Sequence, residues 1–414
     1  MTAPAVTEPN ALSLLTAQAV RERSQMMLDV GLRDGLTHFR IDLDRMDDVA
    51  DAVLATVHRN YPSLRIPFHA RWRHFVIAGE DRWARLAASV KWPAAAARAR
   101  AEFDLAIVSV LLDAGAGAAW RYRDKASGNA IGRSEGLAVA SLDMFASGVF
   151  SADARDPYRV DADRLAEFSV AALEHGFQVG ADNPLVGLAG RADLLRRLGR
   201  LVADRKKSFG RSDRPRPGGL FDHLVSRAKG GTITASAILH EVLLQLGPIW
   251  PSRLRLAGVP LGDCWRHPAI ETDDATSGLV PLHKLSQWLT YSLIEPMQRA
   301  GFEVTDIDGL TGLAEYRNGG LFVDLGVLSL RHAADAERPH EVDSKLVVEW
   351  RALTVALLDR LAGIVRARLD RDATSLPLAS LLEGGTWAAG RAAAFARRAD
   401  GSPPIKVISD GTVF

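Results

Sequence analysis

Two short stretches combine a cation, a carboxylate and aromatic rings at spacings that suit work on a phosphorylated sugar. The first is GLVPLHKLSQWLTYSLIEP, residues 278–296. A helix starting after Pro281 puts Lys284, Trp288 and Tyr291 along one face, at spacings of four and three. A lysine beside two aromatic rings, on a helix otherwise made of Leu, Ile and Thr, is not a solvated charge pattern. It suits an ammonium aimed into a pocket between stacking surfaces. The second is DIDGLTGLAEYRNGGLFVDLGVLSLR, residues 306–331, which sets Glu315, Tyr316 and Arg317 next to Asn318, Gly319 and Gly320. A carboxylate and a guanidinium two positions apart can serve a sugar and its phosphate, and two glycines let the backbone approach a ligand closely. A helix end held by an Arg–Glu pair accounts for the same residues.

Two other segments concentrate polar groups. IPFHARWRHF, residues 66–75, holds two histidines, two arginines and a tryptophan in ten positions. His69 and His74 are five apart, a poor fit to one helical face, and no nearby carboxylate supplies a third zinc ligand. On a strand, Arg71 and Arg73 point the same way and form a pair of donors for phosphate or carboxylate; pairing with surface acids is the alternative. GRSEGLAVASLDMFASGVFS, residues 132–151, carries Glu135 and Asp143 in an apolar setting, where acids are expensive unless bonded or used. Capping or a structural ion pair competes with a functional role there. Phosphate-loop, H-E-x-x-H and G-x-S-x-G motifs are absent, and the G-x-G of Gly115 and Gly117 lacks the third glycine of a dinucleotide fingerprint.

The elements that must position these residues are mostly helices. Apolar residues recur at helical spacing over 11–30, 47–59, 81–90, 93–112, 163–175, 190–204 and 343–369. Strand signals are few: Val76–Ile77, Leu254–Leu256, and a C-terminal hairpin from Ile405 to Phe414 turning at Asp410-Gly411. The pattern predicts a mostly α protein with small β elements. RKKSFGRSDRPRPGG, residues 205–219, is basic and rich in Pro and Gly. It predicts a connecting loop between an N-terminal helical lobe, 1–204, and a second lobe, 220–414, although the two can also form one domain. A solvated connector is favoured over a phosphate-contacting loop.

Composition removes several classes of function. Of 414 residues, 47% are hydrophobic and 24% charged, which is ordinary for a chain with a sizeable core. Fifty-one Lys and Arg balance 50 Asp and Glu, leaving +1 and no bulk charge with which to hold nucleic acid. The lone Cys264 excludes an internal disulfide and a cysteine-only metal site, in keeping with a reducing, cytoplasmic home. No apolar run approaches the roughly 20 residues that span a bilayer, and the N-terminus lacks the pattern of a signal peptide.

The strings IPFHARWRHF, GRSEGLAVASLDMF, LVPLHKLSQWLTYSLIEP and GLTGLAEYRNGGLFVDLGVL resemble those of the uracil-catabolism protein four/Urg-three family, from about residue 10 to the C-terminus. That resemblance implies the pathway that degrades uracil by way of its nucleotide. A second resemblance covers about a third of the chain. A lysine on a helix, a short connector, then Leu-Thr, an acid, Tyr and Arg is similar to the queuosine-nucleotide salvage hydrolases, which split ribose phosphate from a base on a DNA-glycosylase-like helical scaffold. It implies that Lys284, Glu315, Tyr316 and Arg317 stand where those enzymes have Lys, Asp, Tyr and Arg. This chain departs in having the longer acid, and Asn318-Gly319-Gly320 where they have Val-Pro-Gln.

Together the resemblances imply cleavage of an N-glycosidic bond in a ribosylurea phosphate, giving urea and ribose 5-phosphate, with no cofactor and no metal. The expected roles are Glu315 as the carboxylate facing an oxocarbenium-like sugar, with Asp143 or Asp324 as a second. Lys284 and Arg317, with Arg71 and Arg73, hold the phosphate; Trp288 stacks; Tyr316, His74 or Glu135 serves the leaving urea. The partner is a small nucleotide-derived molecule rather than nucleic acid or a membrane, and the oligomeric state is left open. An amidohydrolase acting on a ring-opened pyrimidine and a non-catalytic nucleotide sensor are the competing readings.

Overall fold

A computed structural model describes residues 5–113, 115–117, 119–210, 214–250 and 254–408. Helices dominate, and among the described residues every sheet has two short strands. Helical periodicity is realised at Met46–Asn60, Arg82–Ser89, Ala95–Leu111, Leu188–Asp204, Lys284–Arg299 and Lys345–Leu369. Where one helix was expected over 11–30, the chain forms Glu8–Ser13 and Ala17–Leu32, because Thr16 caps a new start by accepting from the Ala19 N–H at 3.1 Å. The expected 163–175 helix is likewise two, Ala162–Ala166 and Val170–Gly176, with Ser169 capping the second.

The β expectations fare unevenly. Val76–Ile77 pairs with Glu80–Asp81, and Arg255–Leu256 with Val259–Pro260, both antiparallel. The segment 66–75 is not a strand: Arg71–Phe75 winds into a 3₁₀ turn, which sends Arg71 and Arg73 in different directions. The Asp410-Gly411 turn of the expected hairpin lies outside the described residues. Lys406–Ile408 pairs, parallel, with Pro339–Glu341.

One hydrophobic core runs from Leu15 to Ile405 and crosses the expected break at 205–219. Ala95–Leu111 packs on Lys284–Arg299, while Ala17–Leu32 and Met46–Asn60 both pack on Lys345–Leu369. Burying each of Phe39, Phe75, Phe103, Phe145 and Phe150 stabilises the fold by roughly 1.5–3 kcal/mol. The basic segment itself is partly folded, with a helical turn at Lys206–Phe209. Two of its arginines turn inward: Arg205 donates to the Leu244 carbonyl at 2.7 Å, and Arg216 Nε to buried Asp104 at 2.8 Å. Arg211, Ser212 and Asp213 lie outside the described residues. Among the described residues, no helix is long and apolar enough to cross a membrane.

Candidate functional site

Lys284 and Glu315 each open a helix, and one buried ion pair positions both. Asp263 accepts from the Lys284 backbone N–H at 2.9 Å and from the Trp265 indole at 2.7 Å. It also takes both terminal nitrogens of Arg351, at 2.7 and 2.8 Å. Four donors on one buried carboxylate outweigh the burial that would raise its pKa and hold it at about 2. Arg351 Nε in turn donates to the Ala314 carbonyl at 3.2 Å, fixing the residue before Glu315.

Glu315 caps the helix Tyr316–Asp324. Its Oε2 accepts from the Arg317 N–H at 2.8 Å and its Oε1 from the Asn318 N–H at 2.6 Å. Burial nevertheless pushes this carboxyl above the usual range, against those hydrogen bonds and the charge of Lys284. Burial pushes the Lys284 ammonium down, opposed first by Glu315 and then by Asp113. Each of the two charges thus acts on the other.

Trp288, one helical turn after Lys284, forms one wall of the candidate site. The His74 ring lies 5.6 Å away, the His69 ring 6.2 Å, and the Arg71 guanidinium 5.5 Å. Arg71 is fully buried. It donates to Ser109 Oγ at 2.7 Å and approaches His74 Nδ1, Ser134 Oγ and Asp113 Oδ2, each at 3.2 Å. Ser134 donates to Asp113, whose carboxyl stays below the usual range because Arg71, Ser134 and Lys284 together outweigh its burial. Burial and the neighbouring Arg71 charge push His74 down to about 4, so its imidazole is neutral near pH 7. Two buried donors here have no acceptor among the described residues: Arg71 Nη2 and Trp288 Nε1. Unmatched buried donors are costly, and a ligand oxygen is what would satisfy them.

A second wall comes from the C-terminal region. His69 Nδ1 lies 2.8 Å from Glu383 Oε2, and the Tyr61 hydroxyl donates to the other oxygen at 3.3 Å. Glu383 sits in a π-helical turn, Leu382–Thr386.

Several expected residues sit elsewhere or are already occupied. Asp143 accepts from the Tyr122 hydroxyl at 2.7 Å beside Arg82 and Asp124; it is nine residues beyond Ser134 on one helix, roughly 13 Å along the axis. Asp324 is nine residues beyond Glu315, at the far end of its helix, and holds Arg398 at 2.8 and 2.6 Å. Arg73 reaches Glu295 with both contacts at 2.8 Å. Arg317 stacks over the Tyr316 ring at 4.9 Å and donates to the Gly401 carbonyl at 2.8 Å. The Tyr291 hydroxyl is spent on the Thr311 carbonyl at 2.9 Å. Glu135 is 3.6 Å from Arg391, and its charge also reaches Arg71 and His74. Gly319 serves packing rather than ligand approach: a Cβ there would lie 2.7 Å from Trp350 Nε1 and from Thr354 Oγ1. Sequence reasoning left out Asp113, Ser134, Glu383 and the Asp263–Arg351 pair. A signal existed for Asp113, an acid directly after the apolar run 105–112, but nothing local marks the others. Among the described residues, no group of three or more His, Cys, Asp or Glu is placed to hold a metal ion.

The model of a family described as "Protein of unknown function (DUF1688)" matches residues 13–414. The chain belongs to that family. This DUF1688 member is 40% identical to "Protein urg3" of Schizosaccharomyces pombe over 411 residues, covering 97% of this chain and 98% of the relative. It is 39% identical to "Uracil catabolism protein 4" of Lachancea kluyveri over 432 residues, 96% and 97% of the two chains. The match to the DUF1688 model therefore includes every site residue described above, from Tyr61 to Glu383.

Proposed function

We propose that this protein takes part in uracil catabolism and hydrolyses the N-glycosidic bond of a ribosylurea phosphate, releasing urea and ribose 5-phosphate. Similarity along nearly the whole chain to a protein named for uracil catabolism supports the pathway. The reaction rests on one observation: a half-buried lysine and a buried carboxylate act on each other's charge, and nearby Arg71 and Trp288 have spare donors that lack acceptors among the described residues. Lys284 and Arg71 bind the 5′-phosphate, an anion that repays the burial of two cations. Trp288 offers its face to the substrate.

Glu315 acts at the anomeric carbon. With each oxygen tethered by a backbone N–H, it cannot rotate away, and its remaining lone pairs face developing positive charge on the sugar. It also accepts a proton from the attacking water. Asp113, held by Ser134 and Arg71, replaces Asp143 and Asp324 as the second carboxylate of the site. A Glu315→Gln variant tests the assignment: substrate binding should persist while turnover falls by roughly 10²–10⁴-fold. Undiminished turnover would remove Glu315 from the mechanism.

A further inference from the structure

Breaking a glycosidic bond to urea requires a proton for the departing nitrogen, because a urea anion is a very poor leaving group. Three groups expected from the sequence are unsuited to this. The Nδ1 of His74 is already engaged with Arg71 Nη1 and Ser134 Oγ, both at 3.2 Å. Tyr316 is stacked under Arg317, and burial pushes its phenol up. Glu135 is occupied by Arg391.

Resting on the hydrolase reading, we propose that His69, oriented by Glu383, is the acid that protonates the leaving urea. The geometry is that of a carboxylate–imidazole dyad. Glu383 Oε2 lies 2.8 Å from Nδ1. Glu383 is held below the usual carboxyl range: burial would raise it, but the His69 hydrogen bond and the charges of His69 and Arg73 prevail. An ionised carboxylate only accepts, so Nδ1 carries a hydrogen and Nε2 is the atom left to exchange a proton. Among the described residues Nε2 has no hydrogen-bond partner. The ring lies against Trp288, and its charge acts on the Glu315 carboxyl. The titratable and charged groups facing this dyad are Glu315, His74, Tyr61 and Arg73.

The dyad is clamped rather than incidental. The His69 N–H donates to the Ala379 carbonyl at 2.9 Å, and Ser380 Oγ donates to the Ile66 carbonyl at 3.0 Å. A Cβ on Gly384 would lie 2.9 Å from Ile66, and one on Gly385 2.6 Å from Val53. Gly384 thus lets the π turn sit directly on the segment that carries His69, and Gly385 lets it sit on the Met46–Asn60 helix; π turns recur at functional sites.

The step balances. As the C1′–N bond breaks, imidazolium Nε2–H passes its proton to the urea nitrogen, while water adds its oxygen to C1′ and gives a proton to Glu315. Glu315 and His69 regain their starting states by exchanging one proton through solvent.

Leaving-group dependence tests this, because a nitrophenolate departs without an acid. Wild type, His69→Asn and Glu383→Gln are each assayed with ribosylurea 5-phosphate and with a nitrophenyl riboside 5-phosphate, alongside pH profiles and melting curves. His69→Asn should lose roughly 10²–10⁴-fold on the urea substrate but less than about tenfold on the nitrophenyl one, and its kcat should no longer fall toward high pH. Glu383→Gln should lose less on the urea substrate and shift that high-pH limb. Equal losses on both substrates, or an unchanged high-pH limb in His69→Asn, would overturn the role of His69 while leaving the hydrolase reading intact. Should the nitrophenyl probe not be a substrate at all, the high-pH limb alone decides. A wild-type protein that releases urea from neither the assay substrate nor any preparation of it would overturn both.

Discussion

Arg351 grips Asp263 with both terminal nitrogens, and through that pair one buried side chain on the longest helix fixes the start of two others. Lys284 hangs from the Asp263 carboxylate by its backbone N–H, and the peptide before Glu315 hangs from Arg351 Nε. The distance between a cation and a carboxylate that come from separate elements is thus set by a third element.

Breaking this pair should cost more than an ordinary ion pair, because the survivor is left charged and buried. Arg351→Met is expected to destabilise the protein by roughly 3–5 kcal/mol in urea unfolding. The depressed pKa of Asp263 means its contribution is complete above the unfolded carboxyl pKa and is lost as pH falls toward about 2. Acid unfolding of Arg351→Met should therefore be flatter over that window than that of wild type.

Lys284→Met should leave the fold intact and weaken binding of the phosphorylated substrate. Loss of a charge-assisted contact of roughly 1.5–3 kcal/mol predicts about a 10- to 100-fold lower kcat/KM. The substrate lacking the 5′-phosphate should be affected far less, and steady-state kinetics on both forms reads the difference.

Burial raises the Glu315 carboxyl, and the reaction needs it ionised. The rise of kcat/KM from low pH should therefore have its midpoint above the ordinary glutamate range. A pH–rate profile measures it, and Asp113→Asn, which removes a charge acting on Lys284, should move it.

The positions of Asp143 and Asp324, each at the distal end of a helix whose start lies at the site, predict that they are structural. Asp143→Asn should keep wild-type kcat/KM. Asp324→Asn should lose stability, by roughly 1–3 kcal/mol, as Arg398 is left without its carboxylate. Melting curves run beside turnover assays separate the two effects.

Gly390→Ala should be damaging because of what it packs against. A Cβ there would sit 2.2 Å from the Arg317 carbonyl oxygen, which is backbone and cannot swing aside. Separating the Trp387–Arg397 helix from the one that Glu315 caps should cost roughly 1–3 kcal/mol, read by thermal unfolding.

Much of this arrangement was legible in the sequence, and what was not has physical causes. Helices from Met46 to Leu369 announced themselves because one face must be apolar every 3.6 residues. Lys284 and Glu315 stood out because charge in an apolar run must be either paired or used. Arg71 and Arg73 were misplaced because two arginines two apart read as a strand face, whereas the chain turns in a 3₁₀ helix and only Arg71 enters the site. His69 and Glu383 are 314 positions apart, a pairing created by tertiary packing that leaves no local spacing to read. Gly319 looked like a ligand cradle because a glycine's need for room is visible in sequence, but not what fills the room.

The most direct test of the central claim is to follow isotopically labelled ribosylurea 5-phosphate with the purified protein by carbon NMR. The account predicts intact urea and ribose 5-phosphate from the wild type, released roughly 10²–10⁴-fold more slowly by Glu315→Gln. Carbonate or carbamate with the C1′–N bond unbroken would contradict it and indicate attack on the urea carbonyl. Unchanged substrate that still binds saturably would contradict it as well, in favour of a sensor.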